Sequence, residues 1–72
     1  MEYLRHTDHL KKLGAKVKKT RESLGISQDE LSFRTSLAKS QIGRIERGEI
    51  NTGISTLYEI AMGLGVDIKD LL

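Results

Sequence analysis

The 72-residue chain has no cysteine, no proline and no tryptophan, and only three aromatic residues in all. Without cysteine there is no disulfide staple and no zinc site built on thiolates. That absence is compatible with a reducing cytoplasm. With so few aromatics, and none clustered in sequence, a base-stacking platform is not expected; Tyr3 and Phe33 read as packing residues. No apolar run approaches the ~20 residues needed to cross a bilayer, and the N-terminus lacks the apolar centre of a signal peptide. A soluble, cytoplasmic protein without membrane contact is expected. The length is also short: about half of a usual domain. One small domain over residues 1–72, with residues 1–7 as an N-terminal arm, is expected, and two lobes around a substrate are not.

An enzyme is not expected either. Catalysis needs a nucleophile, base or metal set in a concave pocket, and the only two histidines, His6 and His9, stand at the N-terminal end. They suggest no functional metal site, and no cofactor is expected.

The net charge of +2 is too small to indicate a partner, but its distribution is uneven. Residues 11–47 hold ten Lys and Arg against four acids, a local +6, while the remainder carries −4. A basic face and an acidic end follow, suited to nucleic acid, to a membrane surface or to an acidic partner; a solvated helix face has the same composition.

Helical periodicity and its punctuation organise the chain. Leu10, Leu13, Val17 and Leu24, with Arg21, recur at three- and four-residue steps and predict a helix over about 8–24, stopped by Gly25. Ser27 followed by Glu30 has capping-box spacing, and Ile26 and Leu31 have staple spacing, so a second helix is expected over 28–35. Leu37 and Ile42 repeat the staple spacing before a third helix, 39–47, closed by Gly48. Its narrow apolar stripe, Ile42 and Ile45, leaves most of its circumference for water or a ligand. A fourth helix, 54–64, buries Leu57, Ile60, Ala61 and Leu64 and stops at Gly65. Asp67, with Val66 against Leu71, starts a fifth over 67–72. No segment alternates like a strand, so the class is all-α, with five helices and a helix-turn-helix at the second and third.

At this point the residues resemble a known family, the Cro/C1-type, or XRE-like, helix-turn-helix domains. The resemblance covers residues 13–72. It rests on Leu13-Gly14 with Val17, Lys18 and Arg21; on Gly25-Ile26-Ser27-Gln28 with Glu30-Leu31; on Ser40 with Ile42; on Arg44-Ile45-Glu46-Arg47-Gly48; and on Leu57, Ile60-Ala61 and Leu64-Gly65-Val66. Two positions depart from the pattern. Ser36 stands where the turn commonly has glycine, which predicts mild left-handed strain, and Ala38 stands where a Ser or Thr often caps the third helix.

The resemblance implies a five-helix lambda-repressor-like domain that binds double-stranded DNA with its third helix in the major groove. Carried over by position, Lys39, Ser40, Gln41, Gly43 and Arg44 would meet base edges. Lys39 and Arg44 suit guanine acceptors, Gln41 suits adenine or a phosphate, and Gly43 allows close backbone approach. Ser27 and Gln28, at a helix N-terminus, would hold one phosphate, and Arg47, Asn51 and Thr52 another. A plain cap accounts for Ser27 equally well. Lys11, Lys18 and Lys19 would add a non-specific field. Arg21 and Glu46 each interrupt an apolar face, and the family pairs these positions, so a partly buried ion pair is expected. Such domains bind as two-fold dimers. Tyr58, Leu64, Ile68, Leu71 and Leu72 form the candidate homodimer patch; ordinary closure of the core explains them as well. RNA polymerase is a further candidate partner, through Glu30 and nearby acids. A phage-type repressor and a controller of a restriction-modification system both fit. The rival reading keeps the fold but makes it a protein-interaction module, such as an antitoxin-like subunit or a co-activator.

Overall fold

The computed structural model describes residues 6–72, so Tyr3 and most of the expected arm lie outside the described residues, as does the His6 side chain. Four α-helices follow in order: α1 (His6–Ser23), α2 (Gln28–Arg34), α3 (Lys39–Glu46) and α4 (Ile54–Leu64), with a closing 3₁₀ turn at Ile68–Leu71. No strand forms among the described residues.

The punctuation in the sequence explains most of the boundaries. Helix α1 begins at His6, inside the expected arm, buries Val17 and leaves Lys11, Lys12, Lys16, Lys18 and Lys19 exposed. It ends as Gly25 turns left-handed at φ 69° and the Ile26 N–H returns to the Arg21 carbonyl at 3.1 Å. Leu24, expected on the apolar face, is exposed because the helix has already ended at Ser23 and the chain has left its register. At α2 the Ser27 hydroxyl accepts from the Glu30 N–H at 3.0 Å, but the Glu30 carboxylate pairs with Arg34 at 3.0 Å instead of completing the box. Ile26 and Leu31 are both buried, as a staple requires.

The α2–α3 turn is held by side chains. The Ser32 hydroxyl donates to the Leu37 carbonyl at 2.7 Å, and the Thr35 hydroxyl donates to the Leu31 carbonyl at 2.8 Å while accepting from the Leu37 N–H at 3.2 Å. The Ser36 N–H donates to the Glu59 carboxylate of α4. Ser36 is not left-handed, since the only positive φ values among the described residues belong to glycines. The turn therefore needs no glycine and stores no such strain. Ala38 supplies no side-chain cap to α3 although its backbone is already extended, at φ −72° and ψ 149°.

The core gathers one apolar face from each element, with Leu31, Ile42, Ile45 and Ile60 almost wholly buried. Helix α1 lies so close on α3 that a Cβ at Gly14 would sit 2.2 Å from the Ile45 carbonyl oxygen. The fifth helix expected over 67–72 is instead the 3₁₀ turn Ile68–Leu71. Asp67 does cap it in a true box, accepting from the Lys69 N–H at 3.0 Å while its own N–H donates to Asp70 at 3.2 Å. A box marks where a helix starts but carries no information on its length or pitch. Leu71, 1% exposed, is clamped between α1 and α4, and Leu64 is buried as well, so neither offers surface to a second subunit. Ile68 is half-buried against the same core, which leaves only Tyr58 and Leu72 of the expected patch exposed.

Candidate nucleic-acid interface

The site rests on an ion pair that ties α1 to the end of α3. Arg21 Nε donates to Glu46 Oε2 at 2.7 Å and Nη2 to Oε1 at 3.0 Å, the two-donor geometry that makes Arg–carboxylate pairs strong. Arg21 Nη1 donates to the Ile26 carbonyl at 2.8 Å, and Gln28 Nε2 donates to Glu46 Oε1 at 2.9 Å. Both charged residues are only 7% exposed. The hydrogen bond to Glu46 raises the Arg21 guanidinium above its ordinary value, although burial acts the other way. Among the described residues no buried side-chain polar atom lacks a partner.

Above this pair, the N-terminus of α2 and the outer face of α3 form an open pocket of about 340 Å³, lined by Gln28, Lys39, Ser40, Gly43, Arg44 and Arg47. Every lining side chain is polar or cationic except Gly43, whose missing side chain forms the floor. A Cβ there would press on the movable Arg47 Nη1, at 3.0 Å, and touch Gln28 Nε2 at an ordinary 3.8 Å. The cations are not equivalent. Lys39 Nζ lies 3.2 Å from Asp29 Oδ2, and Arg47 Nε lies 2.6 Å from Glu49 Oε2. Hydrogen bonding to Glu49 raises the Arg47 guanidinium, and the same bond holds the Glu49 carboxyl below the usual carboxylate range. The third cation, the exposed Arg44 guanidinium, makes no hydrogen bond or ion pair among the described residues, although its charge helps to lower the Glu49 carboxyl.

Four of the five residues expected at base edges, Lys39, Ser40, Gly43 and Arg44, thus converge with Gln28 and Arg47. Gln41 is half-buried and does not line the pocket; nor do Ser27, Asn51 and Thr52. Ser27 is engaged as a cap.

The family profile described as Helix-turn-helix matches residues 17–71. The chain belongs to the Cro/C1-type helix-turn-helix family. This helix-turn-helix regulator is similar to the control protein C.BamHI of Bacillus amyloliquefaciens, at 40% identity over 82% of this chain and 74% of that one. It is also similar to the HTH-type transcriptional regulator y4dJ of Sinorhizobium fredii, at 32% identity over 90% of this chain and 84% of the relative. Among solved structures, the restriction-modification controller protein C.AhdI of Aeromonas hydrophila superposes with a TM-score of 0.87 at 29% identity, over 90% of this chain and 98% of that one. The chain is accordingly a DNA-binding transcriptional regulator rather than an enzyme. Among the described residues no helix is long and apolar enough to cross a membrane.

Several residues of this helix-turn-helix domain escape sequence reasoning. Asp29, Glu49 and Glu59 look like ordinary surface acids, yet the first two each pair with a cation of the pocket and Glu59 holds the turn before α3. Ile54 and Met62 flank Tyr58 at four-residue steps and leave an apolar stripe on α4, exposed by 58%, 54% and 81% in chain order. Tyr58 belongs to the expected patch, and the i, i+4 spacing that joins Ile54 and Met62 to it is the signal in the sequence.

Proposed function

We propose that the chain is a sequence-specific regulator that inserts α3 into the major groove of double-stranded DNA and binds a two-fold operator as a homodimer. One observation carries this reading: the pocket on the outer face of α3 is lined by Lys39, Arg44, Arg47, Gln28 and Ser40, all able to donate hydrogen bonds. A B-form major groove admits a helix of this width and presents guanine and phosphate acceptors to it. Lys39, Ser40 and Arg44 read bases, with Gly43 at closest approach; Arg47 holds a phosphate. Gln28 serves the same phosphate edge while its amide steadies Glu46. Asn51, Thr52 and Ser27 stand outside the pocket as flanking backbone contacts, and Gln41 as a lesser one.

The exposed stripe Ile54, Tyr58 and Met62 supports pairing of two copies across α4, with Leu72 as a further apolar contributor. The likeness to two controller proteins supports a controller role over a phage-type repressor role.

Selection of bound sites from random duplex DNA tests the reading. Lys39→Ala and Arg44→Ala should relax preference at particular base positions, whereas Arg47→Ala should weaken the enriched sites alike, leave their base preference unchanged and flatten their salt dependence. Sedimentation of Met62→Glu against the wild type tests the dimer. If the wild type enriches no sequence, the protein-interaction reading replaces this one.

A further inference from the structure

We infer that Glu49, with Asp29 as its counterpart, is a specificity-determining residue that occupies the pocket's cations as an internal stand-in for DNA and sets how tightly the matched site is held. The inference rests on the DNA-reading function proposed above.

Glu49 meets Arg47 as a phosphate would. Arg47 Nε donates to Glu49 Oε2 at 2.6 Å and Nη2 reaches Oε1 at 3.4 Å, so the planar fork is engaged by two oxygens of one anion. The backbone makes this local. Gly48, at φ 71°, reverses the chain directly after α3, and the Glu49 N–H donates to the Arg44 carbonyl at 2.9 Å, which turns the acid back over the pocket rim. Glycine, lacking a Cβ, takes that conformation without steric cost, and a Cβ at Gly48 would also collide with Lys11 backbone atoms at 2.7 Å. Across the pocket, Asp29 in the first turn of α2 performs the same task for Lys39 at 3.2 Å.

The consequence differs between matched and unmatched DNA. At a matched site Arg47 must leave Glu49 to grip a phosphate, so the full strength of the internal pair is subtracted from binding. On unmatched DNA, where docking is incomplete, Arg47 stays with Glu49 and little is subtracted. Glu49 therefore caps the affinity of the best sites more than that of the background. It leaves Arg44 as the cation ready for first encounter.

A double-mutant cycle measures this through duplex binding, using the site enriched by the wild type and a scrambled duplex. Glu49→Gln should tighten the enriched site by on the order of threefold, the scale of an exposed ion pair, and tighten the scrambled duplex less. In an Arg47→Ala background the gain should vanish. Asp29→Asn should behave likewise, with its gain vanishing in Lys39→Ala. Glu22→Gln, which removes an exposed charge from α1, calibrates the general field, which strengthens both duplexes equally and persists without Arg47. A Glu49→Gln gain that is equal on both duplexes, or that survives Arg47→Ala, overturns the inference while leaving DNA reading intact. Failure of the wild type to bind any duplex removes the function itself, and this inference with it.

Discussion

Glu46→Ala gives the sharpest test of the scaffold beneath the pocket. The substitution removes the acceptor of two Arg21 donors, at 2.7 and 3.0 Å, and of the Gln28 amide at 2.9 Å. Arg21 stays 7% exposed with only the Ile26 carbonyl, at 2.8 Å, still bonded. Stranding a buried charge in this way costs about 3–5 kcal/mol. A domain of this size has about 4–11 kcal/mol of total stability, so a large share is lost. At about 4–8 °C per kcal/mol for small domains, the melting temperature should fall by at least about 12 °C. Circular dichroism during thermal unfolding reads this directly. Glu49→Ala removes a pair of similar length, but an exposed one, and should cost far less. Replacing both partners, Arg21→Met with Glu46→Leu, should recover much of the loss, since neither charge is then left buried. Equal losses for Glu46→Ala and Glu49→Ala refute the reasoning, as does a double variant as unstable as the two single changes added together.

Three further outcomes follow from the same geometry. Gly14→Ala drives a Cβ to 2.2 Å from the Ile45 carbonyl oxygen and should destabilise by about 1–3 kcal/mol or more in urea titration, whereas Gly53→Ala, with nothing within 4 Å, should cost less, about 1 kcal/mol at most, from the poorer α4 cap alone. Ala38→Ser supplies the side-chain cap that α3 lacks on a backbone already extended, and should stabilise by about 1 kcal/mol in the same titration. The Ser36 hydroxyl and N–H hold the Glu59 carboxyl below its ordinary value. Its contribution is therefore present above the unfolded-state pKa near 4.5 and lost as pH falls through the lower folded value. Glu59→Gln should lower the melting temperature at neutral pH and flatten its decline below about pH 4.5; an unchanged acid limb counts against the contact.

Caps and staples made the four helices legible, because Ser27, Gly25, Gly48 and Gly65 act through their own neighbours along the chain. The same locality conceals the form of the terminal element: Asp67 and Asp70 signal a start, while its brevity goes with Leu71 reaching the core between α1 and α4. That reach also withdrew Leu64 and Leu71 from the expected patch. Within the site, the spacing along α3 brought Lys39, Ser40, Gly43 and Arg44 to one face. The pairing of Lys39 with Asp29, ten positions away, and of Ser36 with Glu59, twenty-three away, depends on how helices pack and leaves no local pattern to find.

Glu59 has a mechanical consequence. It stands next to Tyr58 on α4 and grips the turn at Ser36, three residues before α3 begins. Helix α3 has no side-chain cap of its own, so beyond the Ser32 and Thr35 hydrogen bonds within the turn, its start is tied to α4 through the Glu59 carboxylate. If two copies pair along α4 as proposed, that tie would couple the spacing of their α3 helices to the α4 contact. Such a pair would tolerate a changed base more readily than one inserted between half-sites.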